Sequence, residues 1–218
     1  MTAETGFERR RAAMVADQLR GRGIDDERVL AAMGVVPRER FVRATERRRA
    51  YRDGALPIGH DQTISQPWIV AAICQGLRLE GRETVLEIGA GSGYSTAVIA
   101  VLAAQVVAVE RIPALAERAA AVLDELGVAN VEVITGDGSA GLEGRGPFEA
   151  IAVHATAPEA PPGLIAQLAP GGRLVVPVAE AGMDILTVFT RGEDGDLEAE
   201  VIGPCRFVPL IGKQGFGE

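Results

Sequence analysis

Histidine and cysteine are almost absent from this chain of 218 residues: His60 and His154 are its only imidazoles, Cys74 and Cys205 its only thiols. With no H-E-x-x-H and no paired C-x-x-C, no cluster stands at metal-ligand spacing, and no metal is expected. The two thiols lie far apart in apolar surroundings, which excludes a disulfide framework and suits a reducing, cytoplasmic compartment. A serine hydrolase would need a G-x-S-x-G elbow, but Ser92 sits in Gly91-Ser92-Gly93, where the flanking spacing is wrong. Aromatic residues make up only 4% of the chain, and no run approaches the length of a membrane span. The N-terminus carries Glu4, Glu8 and Arg9 to Arg11 without an apolar stretch, so it does not read as a secretory signal. A net charge of −8 argues against a general phosphate-backbone binder, so no nucleic-acid partner is expected. The local run Arg47-Arg48-Arg49, near Glu46 and Asp53, reads as a solvated helix face.

What is present is a core: 47% of the residues are hydrophobic, enough for one large α/β domain. Its most informative stretch is Val85-Leu86-Glu87-Ile88-Gly89-Ala90-Gly91-Ser92-Gly93-Tyr94, a buried strand that breaks into three alternating glycines and then a helix. Glycines at such a junction let the backbone turn tightly and approach a ligand where a Cβ would collide. A dinucleotide fingerprint would need glycine where Tyr94 stands, and Glu87 precedes the turn. The pattern E-x-G-x-G-x-G is similar to the S-adenosylmethionine turn of Rossmann-like methyltransferases. A second strand, Gln105-Val106-Val107-Ala108-Val109-Glu110, ends in an acid 21 positions beyond Gly89, where a doubly wound fold places its ribose-binding carboxylate. A third strand, Val131 to Thr135, runs into Gly136-Asp137-Gly138, and Asp137 is positioned to accept from an adenine amine or to serve as a plain turn residue.

The surrounding pattern divides into a helical lead and an α/β body. Residues 7–20 carry Phe7, Met14, Val15 and Leu19 at helical spacing, and Asp25 or Asp26 can cap a short helix holding Val29, Leu30 and Met33 before Gly34. Residues 53–66 read as a loop, with Pro67 opening a helix through Leu79. Strands and helices then alternate over 84–88, 93–103, 105–110, 113–126, 131–135, 149–153, 161–168 and 172–176, which implies a parallel sheet covered on both faces. The last strands, near 184–191 and 197–208, have no helix between them and predict an antiparallel hairpin around Gly192 to Asp196. A loop as long as 55–67 within a compact chain reads as a binding loop or lid.

The segments LPIG, QTISQP, VLEIGAGSGY, VAVE, GDG and RFVPL, in this order, resemble the protein-L-isoaspartate (D-aspartate) O-methyltransferase family over nearly the whole chain. The resemblance implies one class I methyltransferase domain over 1–218, with helices and substrate loop in 1–80 and the cofactor-binding body in 81–218. It implies methyl transfer from S-adenosyl-L-methionine to the α-carboxylate of isoaspartyl residues, and possible action on D-aspartyl residues, in damaged peptides and proteins. The ester closes to a succinimide that hydrolyses partly back to aspartate. By the same resemblance Ser65 is the active-site serine; Gln62, Thr63 and Ile64 line cofactor and substrate; and Val208, Pro209 and Leu210 close over the site. Glu87, Gly89, Gly91, Gly93, Glu110, Asp137 and Gly138 fall on the cofactor turn and on the acidic positions after it. A cytoplasmic monomer acting on peptides, with no membrane partner, is expected.

Three positions depart from the family pattern: Asp61 stands where a small residue is usual, Ser139 where an aromatic is frequent, and His154 within a run that is otherwise small. Asp61 is expected to face solvent, His154 to be a hydrogen-bonded residue on the rim, and His60 to be a loop residue. The poverty of bases suits the chemistry, because an isoaspartyl α-carboxylate, with a reference pKa of roughly 3.5, is ionised at neutral pH and needs alignment more than deprotonation. Ser65 would orient that carboxylate; its local alternative is to cap the helix beginning at Pro67. Other readings are an NAD(P)-dependent oxidoreductase, a non-catalytic peptide binder, and a relative that methylates a normal aspartate in a partner peptide to drive imide formation.

Overall fold

A computed structural model describes residues 6–217, so Glu4 lies outside the described residues. The chain opens with α1 (Gly6–Ala13), which runs on as a π-helical turn over Met14–Leu19, and with α2 (Glu27–Val35). Of the two candidate caps it is Asp26 that acts: its Oδ1 accepts the N–H groups of Arg28 (2.8 Å) and Val29 (3.2 Å). Gly34 does not end this helix, which continues through Val35. Short 3₁₀ turns at Arg38–Arg40 and Ala44–Arg49 follow, and the latter carries the exposed run of arginines.

The segment read as an open loop is a small β-hairpin. Strand β1 (Leu56–Gly59) pairs antiparallel with β2 (Gln62–Ile64). The turn is made by His60 and Asp61 at φ 53° and 57°. Two-residue hairpin turns demand positive φ, and Asp and His are among the non-glycine residues that tolerate it, so the usual Asn-Gly signal is missing from the sequence. Helix α3 (Pro67–Leu77) follows, with Pro67 in its first turn, and ends two residues before the expected Leu79.

The body comprises β3 (Thr84–Ile88), α4 (Tyr94–Leu102), β4 (Gln105–Glu110), α5 (Pro113–Glu125), β5 (Val131–Thr135), β6 (Phe148–Val153), α6 (Pro162–Ala166), β7 (Leu168–Glu180), β8 (Met183–Arg191) and β9 (Leu197–Cys205). These strands form one sheet in the order β5-β4-β3-β6-β7-β8-β9, parallel from β5 to β7 and antiparallel from β7 to β9. This is the doubly wound, mostly parallel architecture with a C-terminal hairpin. Alternate side chains of the central strands divide between two apolar layers: Val85, Val106 and Ala108 pack with α2 to α4, while Leu86, Val107 and Val109 pack on the opposite face. Both layers being dry explains why these strands read as unbroken apolar runs. Each fully buried aliphatic side chain contributes roughly 1.5–3 kcal/mol.

Two boundaries differ from expectation. Strand β7 extends to Glu180 and turns directly into β8 at Ala181-Gly182, so the antiparallel part holds three strands. Strand β9 stops at Cys205, and 206–208 leave the sheet to cross the carboxyl ends of the strands. The expected turn at 192–196 is present, with Gly192 N donating to Asp196 O at 2.8 Å. Both cysteines are free, and burial pushes both thiols up, that of Cys205 to about 12.

Candidate active site

The strand order reverses direction between β3 and β6, and a crevice opens at their carboxyl ends, where doubly wound sheets bind ligands. The glycine turn after β3 enters it. Gly89, Gly91 and Gly93 adopt φ of 85°, 56° and 84°, a left-handed region that glycine alone enters freely, and Gly89 N is held by Val109 O at 2.8 Å. Glu110, 5% exposed at the end of β4, braces this turn: its Oε2 accepts Gly91 N at 2.8 Å and its Oε1 accepts Ile112 N at 2.9 Å. Each oxygen keeps a further lone pair, so the carboxylate can receive a vicinal diol without losing either brace.

A cavity of about 270 Å³ lies between the glycine turn, the β1–β2 hairpin and the tail. Its wall contains Ser65, Gln62, Thr63, Ile64, Val208, Pro209 and Leu210, together with Gly89, Gly91, Glu110 and Gly138. A Cβ at Gly138 would come within 2.7 Å of Ile88 Cδ1 and 3.1 Å of Val109 Cβ, so the exit of β5 passes close against the ends of β3 and β4.

Three expected cofactor residues do not reach the wall, and each has another role. Glu87 is fully buried beneath it, accepting Ser95 Oγ at 2.5 Å and lying 3.1 Å from His154 Nε2. Its two side-chain partners, Ser95 and His154, both line the cavity. Gly93 instead faces α5, where a Cβ would lie 3.1 Å from that of Ala119. Asp137 is exposed and holds the tail: Oδ1 accepts Ser139 N and Oδ2 accepts Lys213 N, both at 2.9 Å. Burial alone would raise the Asp137 carboxyl, but the N–H groups of Lys213 and Ser139, the Ser139 hydroxyl and the Lys213 charge outweigh it and set it below its ordinary value.

The departures from the family pattern also resolve. Ser139 is fully buried, and its Oγ accepts Gln214 N at 3.0 Å, making it a second clasp on the tail. The His154 side chain is 6% exposed and belongs to the wall, not the rim. Asp61 faces solvent as expected, yet it also stands at the cavity mouth.

Ser65 does not cap α3. The N-cap residue is Gln66, and no side chain bonds the helix start. The Ser65 carbonyl is instead held at 2.7 Å by Nη2 of Arg38, a fully buried arginine whose Nε donates to Ala50 O at 2.8 Å. Its guanidinium lies 4.8 Å from the ring centre of Tyr94, another wall residue, and burial lowers its pKa to about 10, leaving it charged at neutral pH. Arg38 thus ties the serine loop to the first residue of α4, a connection that sequence spacing does not signal. Ile112 and Ile211, also missed, line the cavity beside Glu110 and Leu210. Their only sequence signal is adjacency to residues already singled out. The tail itself crosses the end of β6 through paired bonds, Thr156 N to Val208 O at 2.8 Å and Leu210 N to Thr156 O at 2.7 Å.

The family model described as protein-L-isoaspartate(D-aspartate) O-methyltransferase matches residues 9–215. A curated relative from Rhodopseudomonas palustris (strain HaA2), named protein-L-isoaspartate O-methyltransferase 1, is 52% identical over 213 residues, covering 97% of this chain and 87% of its own. One from Koribacter versatilis (strain Ellin345), named protein-L-isoaspartate O-methyltransferase, is 49% identical over 97% of this chain and 95% of its own. A solved protein-L-isoaspartate O-methyltransferase superposes with a TM-score of 0.84 at 29% identity, over 94% of this chain and 67% of that one. A Plasmodium falciparum structure described as such an enzyme in complex with S-adenosyl-L-homocysteine gives a TM-score of 0.80 at 25% identity, over 92% and 98%. The chain belongs to the protein-L-isoaspartate (D-aspartate) O-methyltransferase family.

Proposed function

We propose that this protein uses S-adenosyl-L-methionine to methylate the α-carboxylate of L-isoaspartyl residues in damaged polypeptides, starting their repair through a succinimide. One observation carries the reading: the carboxylate of Glu110, the glycine turn and the Ser65 loop line one cavity at the switch point of the sheet.

The cavity fits the methyl donor in its own chemistry. Glu110 offers acceptors to ribose hydroxyls, Ile112 and Leu210 give apolar surface for a base, and the absence of Cβ atoms at Gly89 and Gly91 lets a ligand approach the backbone. The N-terminus of α4 opens on the cavity through Tyr94 and Ser95 and favours a carboxylate. When bound, S-adenosyl-L-methionine supplies an electrophilic sulfonium methyl.

The protein's part is then alignment. Ser65 Oγ donates a hydrogen bond to the acceptor carboxylate, and Arg38 fixes the loop that carries it. Gln62, Thr63 and Ile64 on one side and Val208, Pro209 and Leu210 on the other hold the peptide and exclude water. No side chain needs to take a proton, because the acceptor is already an anion at neutral pH. Positioning of this kind can contribute several kcal/mol, up to about 7–11 in the best cases. Among the described residues no three His, Cys, Asp or Glu side chains converge as metal ligands, and activity is expected to persist in a chelator. The chain acts as one domain, 1–80 supplying helices and hairpin and 81–218 the cofactor-binding body. A cytoplasmic monomer, with Cys74 and Cys205 kept reduced, completes the reading. It is tested by transfer of labelled methyl from the donor to an isoaspartyl peptide: base-labile label on the peptide supports it, and no incorporation overturns it.

A further inference from the structure

The first 53 residues hold 13 of the chain's 22 Lys and Arg but 9 of its 30 Asp and Glu, so a basic segment is set against an acidic body. Several of these arginines have carboxylate partners, such as Arg22 with Asp53 and Arg40 with Glu125. Among the described residues Arg43 has none. It is exposed, and its guanidinium lies over Gly59, where an added Cβ would sit 2.5 Å from Nη2. Gly59, at φ 103°, is therefore the seat on which this side chain rests.

A second arginine reaches the adjoining residue from the other side. Arg118 on α5 donates from Nη1 to Ile58 O at 2.9 Å, while its Nη2 is buried without a hydrogen-bond partner. Burial, and after it repulsion from Arg43, lowers the Arg118 pKa. Two guanidinium groups thus meet on consecutive residues of β1, and no carboxylate pairs with either among the described residues. Bringing like charges together and leaving a buried donor unmatched is costly unless an anion completes the arrangement. The place is also informative. Gly59 pairs across the hairpin with Gln62, a wall residue of the cavity, so the arginine pair sits on the strand next to the one that lines the reaction site.

We propose that Arg43 and Arg118 form a carboxylate subsite that receives an acidic side chain of the substrate polypeptide close in sequence to the residue being methylated. Guanidinium forks bind carboxylates through paired, charge-assisted hydrogen bonds; the exposed Arg43 supplies the fork, and the Arg118 charge beside it adds to the attraction. The proposal rests on the peptide-methylating reading given above.

The test uses isoaspartyl peptides identical except for Glu or Gln at each of the two positions on either side of the isoaspartate, assayed for kcat/KM at low and moderate ionic strength. The wild type is expected to prefer Glu at one or more positions by about fivefold at low salt, less at higher salt. The ratio should fall towards one in R43Q, recover in part in R43K, and weaken in R118Q, which removes the second charge. Equal treatment of Glu and Gln at every position, or a preference that R43Q retains, would overturn the subsite while leaving the methylation reading intact. Failure to methylate any of the peptides would end both.

Discussion

Glu110 Oε2 and the backbone N–H of Gly91 lie 2.8 Å apart, so the residue expected to hold the ribose also braces the loop that admits the cofactor. Removing the carboxylate loses an acceptor and loosens the turn. Hydrogen bonds to charged groups contribute roughly 1.5–3 kcal/mol, so Glu110→Ala should weaken S-adenosylhomocysteine binding on the order of tenfold to a hundredfold. Calorimetry checks it; an unchanged affinity would remove Glu110 from the site.

Ser65→Ala separates alignment from folding. Because the α3 cap is Gln66 and the Ser65 backbone, not its side chain, is held by Arg38, the substitution should leave the melting temperature within about 1 °C. Turnover should fall roughly tenfold to a hundredfold with donor affinity retained, the pattern of an interaction made to the reacting group. A protein that melts earlier but is fully active in its folded fraction would make Ser65 structural.

Asp137 makes the tail sensitive to acid. Its folded-state pKa lies below the ordinary carboxylate value, so its contribution is present above the unfolded pKa, roughly 3.9, and is lost as pH falls through the lower folded value. Amide exchange across 209–216, corrected for its intrinsic pH dependence, should show protection lost below about pH 4, and Asp137→Asn should lose it at neutral pH. Equal protection in the variant and the wild type at pH 7 would contradict the clasp.

Gly93→Ala probes packing. The left-handed φ of 84° costs an alanine about 1–2 kcal/mol, and its Cβ meets Ala119 at 3.1 Å. In a chain of this size that corresponds to a loss of about 2–8 °C in melting temperature. Cofactor affinity of the folded protein should change little. A large loss of affinity without loss of stability would return Gly93 to the cofactor wall.

Much of this organisation is legible in the sequence because local rules and tertiary context agree there. The apolar runs 84–88 and 105–110 are strands buried on both faces, and the three glycines after Ile88 have positive φ that other residues avoid. The hairpin at 56–64 is illegible by periodicity, since three- and four-residue strands show too little alternation and its turn uses His60 and Asp61. Glu87, Gly93 and Asp137 stand in the right motifs, but motif membership does not say which way a side chain faces: one supports the wall from below, one packs a helix, and one clasps the tail. Arg38 belongs to no pattern, because its partners at 50, 65 and 94 come together only in the fold.

The central claim is that the site selects an isoaspartyl carboxylate by its place on the chain. An isoaspartyl residue carries its free carboxylate on the α-carbon and continues through the β-carbon, so a clamp formed by the hairpin at 59–65 and the tail at 206–211 can distinguish it from aspartate by shape. The decisive measurement is methyl transfer to one peptide prepared in isoaspartyl and aspartyl forms, compared as kcat/KM at the same ionic strength. The account predicts turnover of the isoaspartyl form, with the aspartyl form slower by at least about a hundredfold, the consequence of roughly 2.8 kcal/mol of lost alignment. Comparable or faster turnover of the aspartyl form would contradict it and would make the enzyme one that drives imide formation in intact aspartyl peptides.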